Sequence, residues 1–188
     1  MAKSVEQKKT KPSANKKYSP AKVPALNPDN PATAGGLHEL LLDGIKDIYW
    51  AENHLVKAIP QMVKAASDKK LVATLTDHLA VTRNHVKRLE KVFEEMKEKK
   101  KAKKCDAMDG LSKEGEGVIE DTDAGTPARN LGIIMASQKV EHYEMAAYTG
   151  LSKLALKLGL SAVADLLTQN LNEEIAADES LAAVAETI

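Results

Sequence analysis

Residues 71–96 read LVATLTDHLAVTRNHVKRLEKVFEEM. Steps of three and four through this stretch pick out Leu71, Leu75, His78, Thr82, His85, Leu89, Val92 and Met96. That is the inward stripe of a bundle helix. It is apolar at both ends and polar in the middle, where a packed core wants leucine. One interruption of this kind would mean little, but it recurs along the chain.

Three more segments show the same spacing. One runs from about Leu37 to Ala66 and gives Leu42, Ile45, Tyr49, Glu52, Val56, Ile59 and Val63. Pro60 falls inside it and removes one backbone donor. A third begins at Thr126-Pro127, an N-cap followed by proline at the first helical position, and extends to about Leu158. Its stripe is Ile134, Ser137, Glu141, Glu144, Tyr148, Leu151, Ala155 and Leu158. Gly159 is the natural C-cap. The fourth runs from about Leu160 to the C-terminus through Ala164, Leu167, Leu171, Glu174, Asp178, Leu181 and Ala185. Helix two is read as reaching about Lys101. Residues from about 104 to 125 then form a crossover holding one short helix. Two helix hairpins joined by one long crossover predict an all-α, ferritin-like four-helix bundle over residues 35–188.

Residues 1–34 have another composition: seven lysines, two acids and five of the seven prolines. Such a segment buries too little apolar surface to offset its ordering entropy, and it is expected to be a disordered tail. A basic arm could also touch nucleic acid or another acidic partner. The whole chain carries 27 basic and 27 acidic side chains, so its total charge favours neither nucleic acid nor an anionic membrane surface. No apolar run approaches the roughly 18 residues needed to span a bilayer. With no secretory pattern and a single cysteine, Cys105, the expected location is the cytoplasm.

The polar middles match in height. In a hairpin, distance from the turn sets the level at about 1.5 Å per residue. Glu52 lies about 16 residues before the turn near Asp68, and His85 about 17 after it. Glu144 and Glu141 precede the turn at Gly159 by about 15 and 18 residues, while Glu174 and Asp178 follow it by about 15 and 19. His78 falls short of that layer on this measure and is expected outside it, in a supporting position with Thr82, Tyr49 and Tyr148. Several buried carboxylates with no cation among them would cost several kcal/mol each or take up protons. Two divalent metal ions would nearly balance them. Carboxylates with one imidazole suit iron first, with manganese or zinc as alternatives, and do not resemble a sulfur-rich structural zinc site. Glu52, His85, Glu141, Glu144, Glu174 and Asp178 are therefore the candidate ligands.

The segments LLDGIKDIYWAENHLVKAIPQM, HLAVTRNHVKRLEKVF, CDAMDGL, QKVEHYEMAAY and EEIAADESL resemble the YciE/YciF family of ferritin-like bacterial proteins, in order and over about residues 36–188. The resemblance implies a four-helix fold, a homodimer, a stress-related role and a di-metal site. This chain departs from the usual di-iron pattern of Glu-x-x-His on two helices. Helix two offers Thr82-x-x-His85, and Glu174 is followed by Asp178 rather than histidine. Glu52 and Glu144 can serve as the single glutamates, with Glu141 as an extra bridging carboxylate. Two functions follow as expectations. One is a di-metal protein of oxidase or peroxidase type, reacting with oxygen or peroxide, or binding iron. The alternative is a non-catalytic dimeric bundle whose basic tail contacts DNA or another partner.

Overall fold

The computed structural model describes residues 31–188, with side chains from residue 35; of the tail expected over residues 1–34, residues 1–30 lie outside the described residues and residues 31–34 belong to the first helix instead. Five helices follow in order: α1 (Pro31–Ala65), α2 (Lys69–Glu95), α3 (Asp106–Asp121), α4 (Pro127–Lys157) and α5 (Ser161–Ala185), with no strand among the described residues. The all-α bundle expected from the apolar spacing is what forms. α1 begins at Pro31 rather than near Leu37, and proline suits a first turn whose N–H groups have no helical partner.

Local signals set most of the ends. Asp68 caps α2 by accepting from the N–H groups of Lys70 and Leu71 at 2.9 and 3.0 Å. Thr126 caps α4 ahead of Pro127 by accepting from Arg129 N–H at 3.3 Å. Gly159, at φ 75°, closes α4: its N–H donates to Leu156 O at 3.1 Å and Leu160 N–H donates to Ala155 O at 2.9 Å. α2 stops six residues before the expected Lys101. The same closing motif occurs there on Lys97, at φ 55°, with Lys97 N–H to Glu94 O and Glu98 N–H to Phe93 O, both 2.9 Å. No glycine marks this end in the sequence.

The hairpins α1–α2 and α4–α5 pack through α2 against α5 and α1 against α4, while α3 lies outside on α4 and α1. Their turns sit at opposite ends of the bundle. Asn130, one turn into α4, accepts at Oδ1 from the N–H groups of Ser67 and Asp68 at 2.9 and 3.3 Å. At the other end Gly44 of α1 lets Leu151 of α4 approach; a Cβ there would lie 2.6 Å from Leu151 Cδ2. α2 and α4 thus run in the same direction, and the crossover through α3 must return the length of the bundle. The stripe read on α2 is buried at every position. On α1 the true stripe is Leu41, Ile45, Ile48, Glu52, Leu55 and Ile59. Leu42, Tyr49, Val56 and Val63, expected inward, are only half-buried. Paired apolar neighbours such as Leu41–Leu42 and Leu55–Val56 leave the phase open, and the two stripes share Ile45, Glu52 and Ile59. The apolar ends of the stripes form one core on either side of a polar midsection.

Candidate metal centre

Buried at mid-bundle are four glutamates and two histidines: Glu52 from α1, His78 and His85 from α2, Glu141 and Glu144 from α4, and Glu174 from α5. Five of them form two triads. Glu52, His85 and Glu174 each offer an atom within 4.8 Å of the others, as do His78, Glu141 and Glu174. Glu174 belongs to both.

In the first triad His85 Nδ1 lies 2.8 Å from Glu174 Oε1 and 3.2 Å from Glu52 Oε1. These are close approaches without hydrogen-bond alignment, since His85 Nδ1 and both Glu174 oxygens have no hydrogen-bond partner among the described residues. Donor atoms crowded at one point but not aimed at one another are what a shared cation requires. The far side of the ring is pinned: His85 Nε2 lies 2.8 Å from Glu173 Oε2, and Arg88 grips Glu173 through both guanidinium nitrogens at 2.7 and 2.6 Å. Outer carboxylates of this kind fix the orientation of a ligating imidazole and raise its basicity. Glu52 is held by Tyr148, which donates its hydroxyl to Oε1. Asn170 Nδ2 donates to the Tyr148 oxygen at 2.9 Å, and Arg88 Nη1 donates to Asn170 Oδ1 at 2.7 Å. One bonded circuit therefore runs from Glu52 round to His85.

The second triad has less support. His78 Nε2 lies 3.3 Å from Glu141 Oε1. Glu141 Oε2 and both oxygens of Glu144 are buried without a hydrogen-bond partner among the described residues. His78 also faces an open groove between α2 and α5, shared with Asp77, Val81 and Glu173.

Electrostatics follow burial. Desolvation pushes the carboxyls of Glu141 and Glu144 well above the ordinary range, reinforced by the neighbouring glutamates. Glu52 is raised by burial, partly offset by His85. Burial also works against ionisation of Glu174, but His85 and then His78 outweigh it and hold its carboxyl below the usual value. Burial opposes charge on His85 too, yet Glu174 and Glu52 raise it well above an ordinary histidine. His78 is lowered by burial. Glu173 falls to about 2, because His85 and Arg88 overcome its desolvation. Without a cation, charge here is managed by protons on Glu141, Glu144 and His85. Divalent ions would displace them, and the all-oxygen and imidazole donor set fits iron or manganese.

A family described as a domain of unknown function, DUF892, matches residues 36–188. The chain belongs to that family. It is 38% identical over 150 residues to Protein YciF of Escherichia coli strain K12, covering 79% of this chain and 90% of that one. The crystal structure of the E. coli stress protein YciF superposes with a TM-score of 0.76 at 37% identity, over 79% of this chain and 94% of that one. YcfI from Rhodopseudomonas palustris gives 0.75 at 39% identity, over 77% and 92%. A Xanthomonas campestris protein at 22% identity, TM-score 0.66, shares the fold, covering 80% of this chain and 92% of its own. The resemblance seen in the sequence is thus established, and the chain is a YciF-like helical bundle with a buried His/Glu cluster compatible with metal. No helix among the described residues is long and apolar enough to cross a membrane.

The sequence-derived residues divide. Glu52, His85, Glu141 and Glu174 fall in the triads. Glu144 is buried beside them and in neither. Asp178 is half-buried, accepts from Gln138 at 3.0 Å and faces His142 at 3.5 Å, away from both triads. Thr82 is buried, but its hydroxyl is spent on His78 O at 3.0 Å. Tyr148 supports a triad as expected, whereas Tyr49 donates to Glu90 at 3.1 Å, off the site. His78 was expected outside the layer and belongs in it. The reason is the opposed turns: residues farther from the α4–α5 turn, such as Glu141, lie nearer the α1–α2 turn, which is where His78 sits. Sequence reading missed Glu173, Arg88 and Asn170. Asn170 left a signal, a polar residue one turn before Glu174 on the buried face of α5. Glu173 and Arg88 lie off the stripes and left none.

Proposed function

We propose that this protein is a ferritin-like carboxylate protein holding two divalent transition-metal ions, iron first, and reacting with oxygen or peroxide in the cytoplasm during stress. One observation carries the reading: a fully buried carboxylate, Glu174, is shared by two ligand triads. The charge agrees, since four buried glutamates are balanced by two divalent cations.

Glu52 and His85 Nδ1 would hold one ion, His78 and Glu141 the other, with Glu174 bridging and Glu144 completing the shell from α4. Bound iron supplies binding and polarisation of dioxygen or peroxide. With a metal bound, Glu173 would hold the remaining His85 proton on Nε2 and leave Nδ1 to ligate. Tyr148 fixes one Glu52 oxygen and leaves Oε2 for a metal. Leucine and isoleucine layers close the site above and below, leaving the α2–α5 groove beside His78 as its approach from water.

Elemental analysis of protein purified without added metal tests this. The expected result is bound transition metal in the wild type and loss in Glu174→Ala. Equal metal content in the two proteins would sink the reading. A second reading is a non-catalytic homodimeric bundle whose basic tail contacts DNA or another partner. It is favoured by the hydrogen bonds of His85 Nε2 to Glu173 and of Glu173 to Arg88, which need no metal, and by YcfI, described as a proposed structural protein. Metal-free protein of unchanged stability, with DNA binding lost on deleting residues 1–30, would select it.

A further inference from the structure

α3 turns Met108, Ser112 and Gly115 inward over α1 and α4. Beneath it lies a cavity of about 40 Å³. Its wall is mostly carbon, from Leu55 and Ile59 of α1 and Ala136 and Val140 of α4 among others, and His78, Ser112, Ser137 and Glu141 also line it. The roof is close: a Cβ on Gly115 would stand 2.3 Å from Met62 Cε, so α3 could not sit this near α1 with a larger residue unless Met62 moved.

The size limits the occupant. A water needs roughly 10–15 Å³ of such space, so the cavity takes a molecule of two or three heavy atoms and excludes metabolites. Two lining residues carry buried polar atoms without a partner among the described residues, Ser112 Oγ and Glu141 Oε2. They could anchor one water, which needs two to four polar partners. Apart from Ser137 and His78, the rest of the wall is carbon and suits an apolar guest. The α2–α5 groove, which reaches His78 from the other side, is larger, about 250 Å³, and carries Asp77 and Glu173 at its rim. The two approaches to His78 thus differ in chemistry.

We propose that the cavity under α3 is a binding site for a small apolar diatomic molecule of the dioxygen class, set beside the His78–Glu141 triad. Its use rests on the metal–oxygen reading above; its existence does not. Xenon, an apolar probe of similar size, is the test. Crystals of the full chain pressurised with xenon should show a peak bounded by Leu55, Ala136 and Val140, with or without metal. Ala136→Leu should abolish it. Ala58→Leu fills the same space from α1, should one variant fail to fold. Both should keep wild-type metal content, and in ferrous-loaded protein both should slow oxidation by dioxygen at least ten-fold. No xenon in the wild type, xenon retained in a folded filled variant, or an unchanged oxidation rate would each overturn the proposal. Xenon bound in a protein that takes up no metal would leave the cavity standing and remove the metal–oxygen reading instead.

Discussion

The two triads share Glu174 and differ in everything around it. Glu52 and His85 are locked by a circuit through Tyr148, Asn170, Arg88 and Glu173, whereas His78 and Glu141 meet each other at 3.3 Å beside a cavity and a groove. A bonded outer shell pre-orders ligands, so less is lost on binding. On the proposed reading the braced triad would be the tight site. The looser one, flanked by the cavity and the groove, would be where exchange and reaction take place.

The largest effect should come from the shared residue. Glu174→Ala should remove both ions, while Glu52→Gln and Glu141→Gln should each remove one. Metal counts after dialysis read this directly, and one ion persisting in Glu174→Ala would mean that the triads are independent. Next comes the brace. Arg88→Met releases Glu173 and should weaken the tight site about 10–100-fold while sparing the other. Competition titration with a chelator separates the two; equal weakening of both would erase the asymmetry.

Acidity probes the same contrast. Glu52, Glu141, Glu144 and His85 are all raised in the folded chain, so the native state binds more protons than the unfolded one. Their contribution is fully present below the unfolded values and fades as pH rises through the folded ones. His78, lowered, works the other way between its folded value and 6.5. Glu173, at about 2, and Glu174 act only at acid pH. Metal-free protein should consequently melt at lower temperature at pH 7.5 than at pH 5.5, and saturating metal should reverse the trend. A flat or rising melting temperature without metal would show that these carboxylates are not protonated.

The smallest change expected is a gain. Val81 lines the α2–α5 groove with His78 and Glu173. Val81→Glu should cost about 1–3 kcal/mol without metal and recover it with metal, because a ligand that binds only the folded state stabilises it. Unfolding with and without ferrous iron gives the comparison. An iron-induced shift no larger than in the wild type would place residue 81 outside the reach of the loose site.

The bundle and most of its buried carboxylate and histidine cluster were legible because they depend on period and level, which a sequence carries. The α2 stripe was read correctly at every position. Glu52, His85, Glu141 and Glu174 stood out as charged or polar interruptions of apolar stripes. Gly159 announced its helix end, while the equivalent end at Lys97 was silent, since a lysine can be forced to positive φ by hydrogen bonds that composition does not report. The phase of α1 was ambiguous wherever apolar residues are adjacent.

What the sequence determined by itself is a helical bundle with a charged midsection, because hydrophobic spacing and the cost of burying carboxylates are local facts. Which carboxylate meets which histidine was decided only in three dimensions. Opposed turns carry Glu141 to the level of His78, Asp178 rotates out toward Gln138 and His142, and Glu173, held by Arg88, reaches His85 from off the stripe. Those placements depend on the relative rotation and direction of packed helices, and no spacing within one helix encodes them.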